Sequence, residues 1–330
     1  MRYFITGATG FIGRRVARQL LEAGHEVIAL ARRPDAAHDL ADLGAQVVSG
    51  DITDRDSLRG PMTGVDGVFH LAAWYEVGVH DRSMAEHINV EGTRAVLEVM
   101  RDLGIPRGVY TSTIAVFSDT RGEVVDESYR YEGPHLSEYD RTKWLAHYEV
   151  ALPLMEAGLP LTIVQPGVVY GPGDHSSVGL ALRQYLQRRL PVLPQGFTFC
   201  LSHVEDSARG HILAMEKGWP GETYIIGGPI YTMVEMFRLC QHITGIPAPR
   251  LVLPPGLMRL TAALATPLAG LLPPTFHPES LRVSAGTTYT ASSARAERDL
   301  GWRTRPVIEG LRETLAYELR QMGREPDFDA

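Results

Sequence analysis

The stretch Arg2-Tyr-Phe-Ile-Thr-Gly-Ala-Thr-Gly-Phe-Ile-Gly13 decides the fold. Its apolar run from Tyr3 to Thr6 has the length and composition of a buried strand. Beyond it, Phe11, Ile12, Val16, Leu20 and Leu21 recur at helical spacing, and Gly24 follows as a stop signal. Gly7, Gly10 and Gly13 therefore fall where a strand turns into a helix. Backbone N–H groups at a helix N-terminus carry a partial charge of about +0.5 and form a ready site for phosphate. Glycine permits the tight turn, the close approach of backbone to a dinucleotide pyrophosphate, and close packing of helix on strand. The spacing is Gly-x-x-Gly-x-x-Gly rather than the more general Gly-x-Gly-x-x-Gly, so its place after a strand and before a helix carries the reading.

Working outward, strand and helix patterns alternate. Strands are expected at Glu26–Ala31, Gln46–Ser49, 67–71, 108–112 and 161–165. Long helices are expected over 82–103, with Asp81 as N-cap, and over 138–157, where Ser137-x-x-Asp140 resembles a capping box. This alternation demands an α/β fold, a Rossmann-type doubly wound parallel sheet, whose ligands bind outside the carboxyl ends of the strands. The dinucleotide-binding domain is expected to take 1–168, 204–228 and 286–300. A smaller, mostly helical C-terminal substrate domain takes 169–203, 229–285 and 301–330, including a helix over 178–189. The most apolar stretch, 251–276, is broken by Arg259 and five prolines. A membrane span wants about 20 mostly apolar residues in one helix, so the stretch reads as helices of the substrate domain, with interfacial membrane contact left open.

Composition sets the limits. At roughly 150 residues per domain, 330 residues make one large or two ordinary domains. The net charge of −7 offers no footprint for nucleic acid or an anionic membrane. Cys200 and Cys240 cannot make a disulfide framework and indicate a reducing compartment, the cytoplasm. The first residues are already a strand, so no signal peptide fits. The 12 histidines show no metal-ligand spacing, and no metal is expected.

The tip of the second strand selects the cofactor. An NAD-preferring site places a carboxylate there for the adenosine 2′-OH, whereas this strand ends Leu30-Ala-Arg-Arg33. Guanidinium groups suit a 2′-phosphate, so NADP(H) is expected. The chemistry lies in Tyr139-Asp-Arg-Thr-Lys143, a phenol and an ammonium at i and i+4 on one helix face. Of 32 basic residues only Lys143 and Lys217 are lysine, so a lysine at this position points to a need for a compact ammonium. An adjacent ammonium favours the phenolate and brings a phenol, ordinarily near pKa 10, toward useful proton transfer.

These motifs resemble the extended branch of the short-chain dehydrogenase/reductase superfamily. Thr6-Gly-Ala-Thr-Gly-Phe-Ile-Gly13, Gly50-Asp-Ile-Thr-Asp54, Leu71-Ala-Ala73, Asn89-Val-Glu-Gly-Thr93, Tyr139-x-x-x-Lys143 and Gln165-Pro-Gly-Val168 match in order. His203 to His211, Tyr224 to Gly228 and Ser293 to Trp302 extend the likeness over nearly the whole chain. The nearest pattern is the dihydroflavonol-4-reductase-like group, which includes bacterial hopanoid-associated sugar epimerase-like proteins. The resemblance implies Tyr139 as acid/base, and Lys143 as the residue that binds the nicotinamide ribose and lowers the Tyr139 pKa. It implies Thr113 as the catalytic hydroxyl where serine is usual, with Ser112 beside it. It further implies cofactor contacts from Gly7, Thr9, Gly10, Phe11, Ile12, Gly13, Leu71, Ala72, Ala73, Pro166, Gly167 and Val168. Asp51 and Ile52 would meet adenine, Arg32 the 2′-phosphate, and Asn89 would help hold the lysine through water. Pairing through the two long helices, and so a homodimer, is implied as well.

The expected substrate is a small-molecule carbonyl compound. Trp74, Tyr75, Phe197, Phe199 and Tyr231 suggest an apolar lining, with Arg183, Arg188 and Arg189 as the one candidate clamp for a nucleotide diphosphate. NADP(H)-dependent reduction of a fairly apolar ketone or aldehyde is the primary expectation. An NAD(P)-dependent nucleotide-sugar epimerase or dehydratase is the alternative, although Ile114 stands where dehydratases carry an acid. A non-catalytic redox sensor would not need to retain Tyr139 and Lys143.

Overall fold

The computed structural model describes residues 1–75, 82–266 and 277–328, and among them thirteen strands occur. They are β1 (Arg2–Thr6), β2 (Glu26–Ala31), β3 (Gln46–Ser49), β4 (Gly67–His70), β5 (Gly108–Thr111), β6 (Leu161–Pro166) and β7 (Val168–Tyr170). There follow β8 (Val192–Pro194), β9 (Thr198–His203), β10 (Thr223–Ile226), β11 (Ile230–Thr232), β12 (Leu251–Leu253) and β13 (Thr288–Tyr289). Seven of them form one sheet in the order β10-β6-β5-β4-β1-β2-β3, with every neighbour parallel. A parallel sheet is covered on both faces, and its strands read as continuous apolar runs. Phe4 and Ile5 of β1 are fully buried, and all six residues of β6 are buried.

Helices Phe11–Glu22 and Val204–Lys217 cover one face together with Trp302. Helix Arg55–Met62 and the helical runs 82–102 and 138–156 cover the other. Each fully buried Val, Leu, Ile or Phe in these layers stabilises the fold by about 1.5–3 kcal/mol. Glu205 ties the first face together, accepting from Arg18 at 2.6 Å and Gln19 at 2.8 Å.

The two long helices are not uniform. His87–Gly92 and Ala146–Ala151 are π-helical turns within them, a widening often found at functional sites. The expected Asp81 cap lies outside the described residues. Ser137 does cap its helix, accepting from the Asp140 N–H at 3.0 Å. The capping box is only half formed, because the Asp140 carboxyl accepts from the Ser137 hydroxyl (2.7 Å) and from Tyr289 (3.2 Å).

A second unit lies over the carboxyl ends of the sheet. Strand β9 collects β7, β11 and β13 into a four-stranded sheet, and β8 pairs with β12. The unit that the sequence presents as mostly helical thus carries two small sheets, with Tyr185, Phe199, Phe237, Leu311 and Leu315 in its core. The 286–300 stretch is shared: β13 joins the second sheet, while Ala296 and Leu300 pack beneath the large one. The 251–276 stretch opens with β12 before helix Pro255–Ala265, and residues 267–276 lie outside the described part. The helix expected over 178–189 is Ser177–Leu186, with Arg188 beyond it at φ 58°. Cys200 and Cys240 are free and buried.

Candidate active site

A cavity of about 2080 Å³ opens at the carboxyl ends of the strands. A single small-molecule pocket occupies about 300–1,000 Å³, so this one has room for a dinucleotide and a second molecule. Gly7 and Thr9 to Gly13, Leu71 and Ala73, Ser112 and Thr113, Tyr139 and Lys143, and Pro166 to Val168 all line it. Arg32, Asp51, Ile52 and Ala72 do not. The Asp51 carboxylate holds its own turn, accepting from the Thr53 N–H (2.9 Å) and hydroxyl (2.8 Å). Ile52 packs into the space left by the missing side chain of Gly92, and the Ala72 N–H donates to Thr6 Oγ1 at 3.2 Å. Arg32 is exposed beyond the end of β2, whereas Arg14 lines the cavity, paired with Asp39 at 2.5 Å. Of the expected aromatic lining, Tyr75 and Phe197 face the cavity; Trp74 and Tyr231 do not, and Phe199 lies wholly in the core.

The glycine turn fits a pyrophosphate by shape and charge. Gly7 adopts φ 72°, and a side chain there would begin 2.6 Å from the Ala72 nitrogen. At Gly13 a Cβ would sit 2.1 Å from the Gly7 carbonyl oxygen. Helix Phe11–Glu22 has no side-chain cap and no acidic residue in its first turn, so its leading N–H groups are left for an anion. Gly13→Ala is expected to destabilise the fold by about 1–3 kcal/mol and to abolish binding of a nicotinamide dinucleotide. Gly256→Ala, in helix Pro255–Ala265 with nothing within 4 Å, is the control and should gain up to about 1 kcal/mol. Equal melting temperatures and dinucleotide affinities for the two variants would show that the turn tolerates a side chain.

The chemical groups converge on the other wall. Lys143, 2% exposed, donates to the Thr111 carbonyl at 2.8 Å and Tyr110 Oη at 3.2 Å. Burial brings its pKa down to about 7. The Tyr139 ring meets Tyr75 edge-on at 4.8 Å, and Tyr139 and Thr113 line the cavity together. Loss of water pushes the Tyr139 pKa well above that of an ordinary phenol, with the influence of the Thr113 hydroxyl opposing. This direction is opposite to the expected lowering: burial dominates at Tyr139, and Nζ of Lys143 is turned to Thr111 and Tyr110 rather than to the phenol. Thr113 and Ser112 also separate. Thr113 faces Tyr139, while the Ser112 hydroxyl lies 2.8 Å from His147 Nδ1.

Several buried polar groups escape a sequence reading. In the register of the sheet Thr6, His70 and Tyr110 stand side by side at the ends of β1, β4 and β5. His70 bridges the Thr6 and Thr93 hydroxyls at 2.7 and 3.0 Å, and His211 bridges the Ser207 carbonyl and Thr111 hydroxyl at 2.7 and 3.0 Å. Burial holds all three imidazoles neutral, with His70 and His147 down to about 3 and His211 to about 4. The Lys143 charge adds to burial at His70 and His147. Asn89 clamps the loop after β4, accepting from the Trp74 N–H at 2.7 Å and donating to the Trp74 carbonyl at 3.1 Å. Its amide also donates to Thr142 Oγ1 on the Tyr139 helix at 2.9 Å. Asp140 lines the cavity and is pushed up to about 7 by burial. The one available signal was positional: a histidine or asparagine at the end of an otherwise apolar strand or buried helix face. Among the described residues no cluster of three or more metal-ligating side chains occurs, and no helix is long and apolar enough to cross a membrane.

Fold and cavity define a dinucleotide-binding α/β protein with a hydroxyl, phenol and ammonium set at the strand ends. The chain belongs to the NAD dependent epimerase/dehydratase family, whose model matches residues 3–227. It is 32% identical over 308 residues to sterol demethylase protein B of Methylococcus capsulatus, covering 91% of this chain and 93% of that one. A putative dihydroflavonol 4-reductase of Synechocystis is 32% identical over 326 residues, 96% of this chain and 94% of its own. The 4-hydroxy-2-methyl-3-oxo-4-farnesyl-3,4-dihydroquinoline-1-oxide ketoreductase of Stigmatella aurantiaca is 31% identical over 312 residues, 92% of each chain. These relatives place the chain in the extended short-chain dehydrogenase/reductase superfamily, near the dihydroflavonol-4-reductase-like group. Among solved structures, gox2253 superposes with a TM-score of 0.85 at 32% identity, over 98% of this chain and 99% of its own. UDP-glucose 4-epimerase of Thermotoga maritima shares the fold, with a TM-score of 0.78 at 23% identity over 98% and 100% of the two chains.

Proposed function

We propose that the protein is an NADP(H)-dependent reductase of a ketone or aldehyde on a fairly apolar molecule. The observation that carries this reading is the Tyr139–Thr113 hydroxyl pair at the wall of a cavity whose far side is apolar. That side presents Leu190, Val192, Phe197, Leu253 and Met258. Of the three arginines that suggested a diphosphate clamp, Arg183 is committed to the Asp174 carbonyl (2.6 Å) and Glu318 (3.3 Å). Arg189 lines the cavity and Arg188 does not. A relative named for a farnesylated ketone supports an apolar substrate.

When bound, NADPH supplies the hydride. Tyr139 gives its phenolic proton to the substrate oxygen as that oxygen gains negative charge, and Thr113 hydrogen-bonds the same oxygen. Tyr139 is protonated throughout the neutral range and so enters the step as the donor. Lys143, fixed by the Thr111 carbonyl, faces the cavity and would hold the nicotinamide ribose. At the adenosine end, Arg14 is already neutralised by Asp39. Arg32 has no carboxylate partner among the described residues and remains the group for the 2′-phosphate.

The test is the cofactor state of the purified protein, followed by titration with NADPH and NADH. Exchangeable binding that favours NADPH is expected. Arg32→Ala should weaken NADPH about tenfold or more, the worth of a charge-assisted hydrogen bond, and leave NADH nearly unchanged. Equal losses would move Arg32 away from the phosphate. Stoichiometric, non-exchanging NAD+ would replace this reading with that of an epimerase recycling its cofactor.

A further inference from the structure

Helix Pro255–Ala265 carries two apolar faces. Met258 and Ala262 are buried, and Met258 and Thr261 line the cavity. Leu257, Leu260 and Leu264, at i, i+3 and i+7, form a second stripe that is 48%, 55% and 70% exposed. Leu251, 57% exposed, precedes them on β12. Four of the twelve exposed large hydrophobic residues among the described residues thus fall within 251–264.

The charge around this face is one-sided. Segments 175–204 and 236–266 contain six arginines, Arg183 (paired with Glu318), Arg188, Arg189, Arg238, Arg250 and Arg259, and not one Asp or Glu, in a chain of net charge −7. The overall negative charge therefore conceals a local positive region. Pairing of Leu251 with Val192 brings Arg250 beside the 188–191 turn. Arg188, Arg189, Arg250 and Arg259 are exposed and have no carboxylate partner among the described residues. On the adjoining helix Pro278–Val283, Arg282 is exposed while Glu279, the one carboxylate, is buried and accepts from the Glu138 N–H.

We propose that this face seats the protein on an anionic lipid bilayer. The leucine stripe enters the headgroup–acyl boundary, as the apolar face of an interfacial helix does, and the arginines lie among lipid phosphates. The cavity opens beside the same helix, so an apolar substrate passes from the bilayer into the site. That last step rests on the apolar-substrate reading above; the docking does not. A second copy of the chain is a poorer occupant, because a two-fold interface sets a patch against itself. The arginines would then face arginines with no carboxylate on the patch to accept them.

Sedimentation of the full chain with vesicles tests this directly. Binding is expected to phosphatidylcholine vesicles containing 30% phosphatidylglycerol, and much less to phosphatidylcholine alone. Arg250→Gln with Arg259→Gln should weaken it about 25-fold at low salt, at about fivefold per arginine. Leu257→Ser, Leu260→Ser and Leu264→Ser together should weaken it at least about 100-fold. Unchanged NADPH affinity in both variants would show that they remain folded, since none of these side chains lines the cavity. Absent vesicle binding, or equal binding by the leucine variant, overturns the proposal. So does a dimer in ultracentrifugation that the leucine variant converts to monomer, which would give the face to a second copy. Neither result bears on NADPH preference, so docking and the reductase reading fail separately.

Discussion

Tyr139→Phe is expected to lower the rate of carbonyl reduction about 10²–10⁴-fold, the usual loss on removing a positioned general acid, with NADPH affinity nearly intact. The substitution deletes one oxygen and keeps the ring that meets Tyr75 edge-on, so packing changes little. A 100-fold loss corresponds to about 2.7 kcal/mol of transition-state stabilisation, more than a volume-conserving swap ordinarily removes. Thr113→Val tests the partner in the same way: it keeps the branched shape and deletes the hydroxyl that meets Tyr139. Thr113→Ser should restore much of what valine loses. Ser112→Ala should matter less to the rate, since its hydroxyl is engaged by His147 at 2.8 Å. Turnover unchanged in Tyr139→Phe would remove the phenol from the mechanism. A larger loss in Ser112→Ala than in Thr113→Val would exchange the roles of the two hydroxyls.

The sheet was legible because its strands are buried on both faces and separated by glycine and polar turns. Bounds read at β2 and β3 match to the residue. The glycine turn was legible for a related reason, since steric demand leaves one residue type at Gly7 and Gly13. The widened turns at His87–Gly92 and Ala146–Ala151 were not: periodicity registers a helix, and one extra residue in a turn barely shifts it. Arg32, Asp51 and Ile52 could be assigned by motif but not by contact, because the direction of a side chain beyond a strand end depends on tertiary packing. The same limit applied to the histidines. His70 ends β4, while His147 and His211 sit on helices over opposite faces of the sheet, and only the packing of those helices brings them to Ser112 and Thr111 at the end of β5. The net charge was misleading in another way, as a sum over the whole chain cannot show that two segments contain no carboxylate.

Those histidines make stability depend steeply on acid. His211 Nδ1 lies 2.7 Å from the Ser207 carbonyl, which only accepts, so Nδ1 bears the proton and Nε2 accepts from the Thr111 hydroxyl. Charging the ring would place a second proton at Nε2 in a dry site. An unfolded histidine titrates near 6.5, whereas His211 titrates near 4 when folded. Between these values the unfolded chain binds more protons than the native one, so stability falls as pH drops through 6.5. Each such histidine contributes a slope of about 1.4 kcal/mol per pH unit over that window. Asp140 acts oppositely. Its folded pKa of about 7 against an unfolded value of 3.8 means the native state keeps a proton that the unfolded chain has released, so its contribution is lost as pH rises. Urea denaturation between pH 4.5 and 6 should therefore give a shallower pH slope for His211→Asn, by about 1.4 kcal/mol per unit, and a steeper one for Asp140→Asn by a similar amount. Asparagine can still donate to the Ser207 carbonyl, so the slope reports the lost titration rather than a lost contact. Curves parallel to the parent in both variants would mean that neither group changes its proton affinity on folding, and the neutral burial of His211 would have to be abandoned.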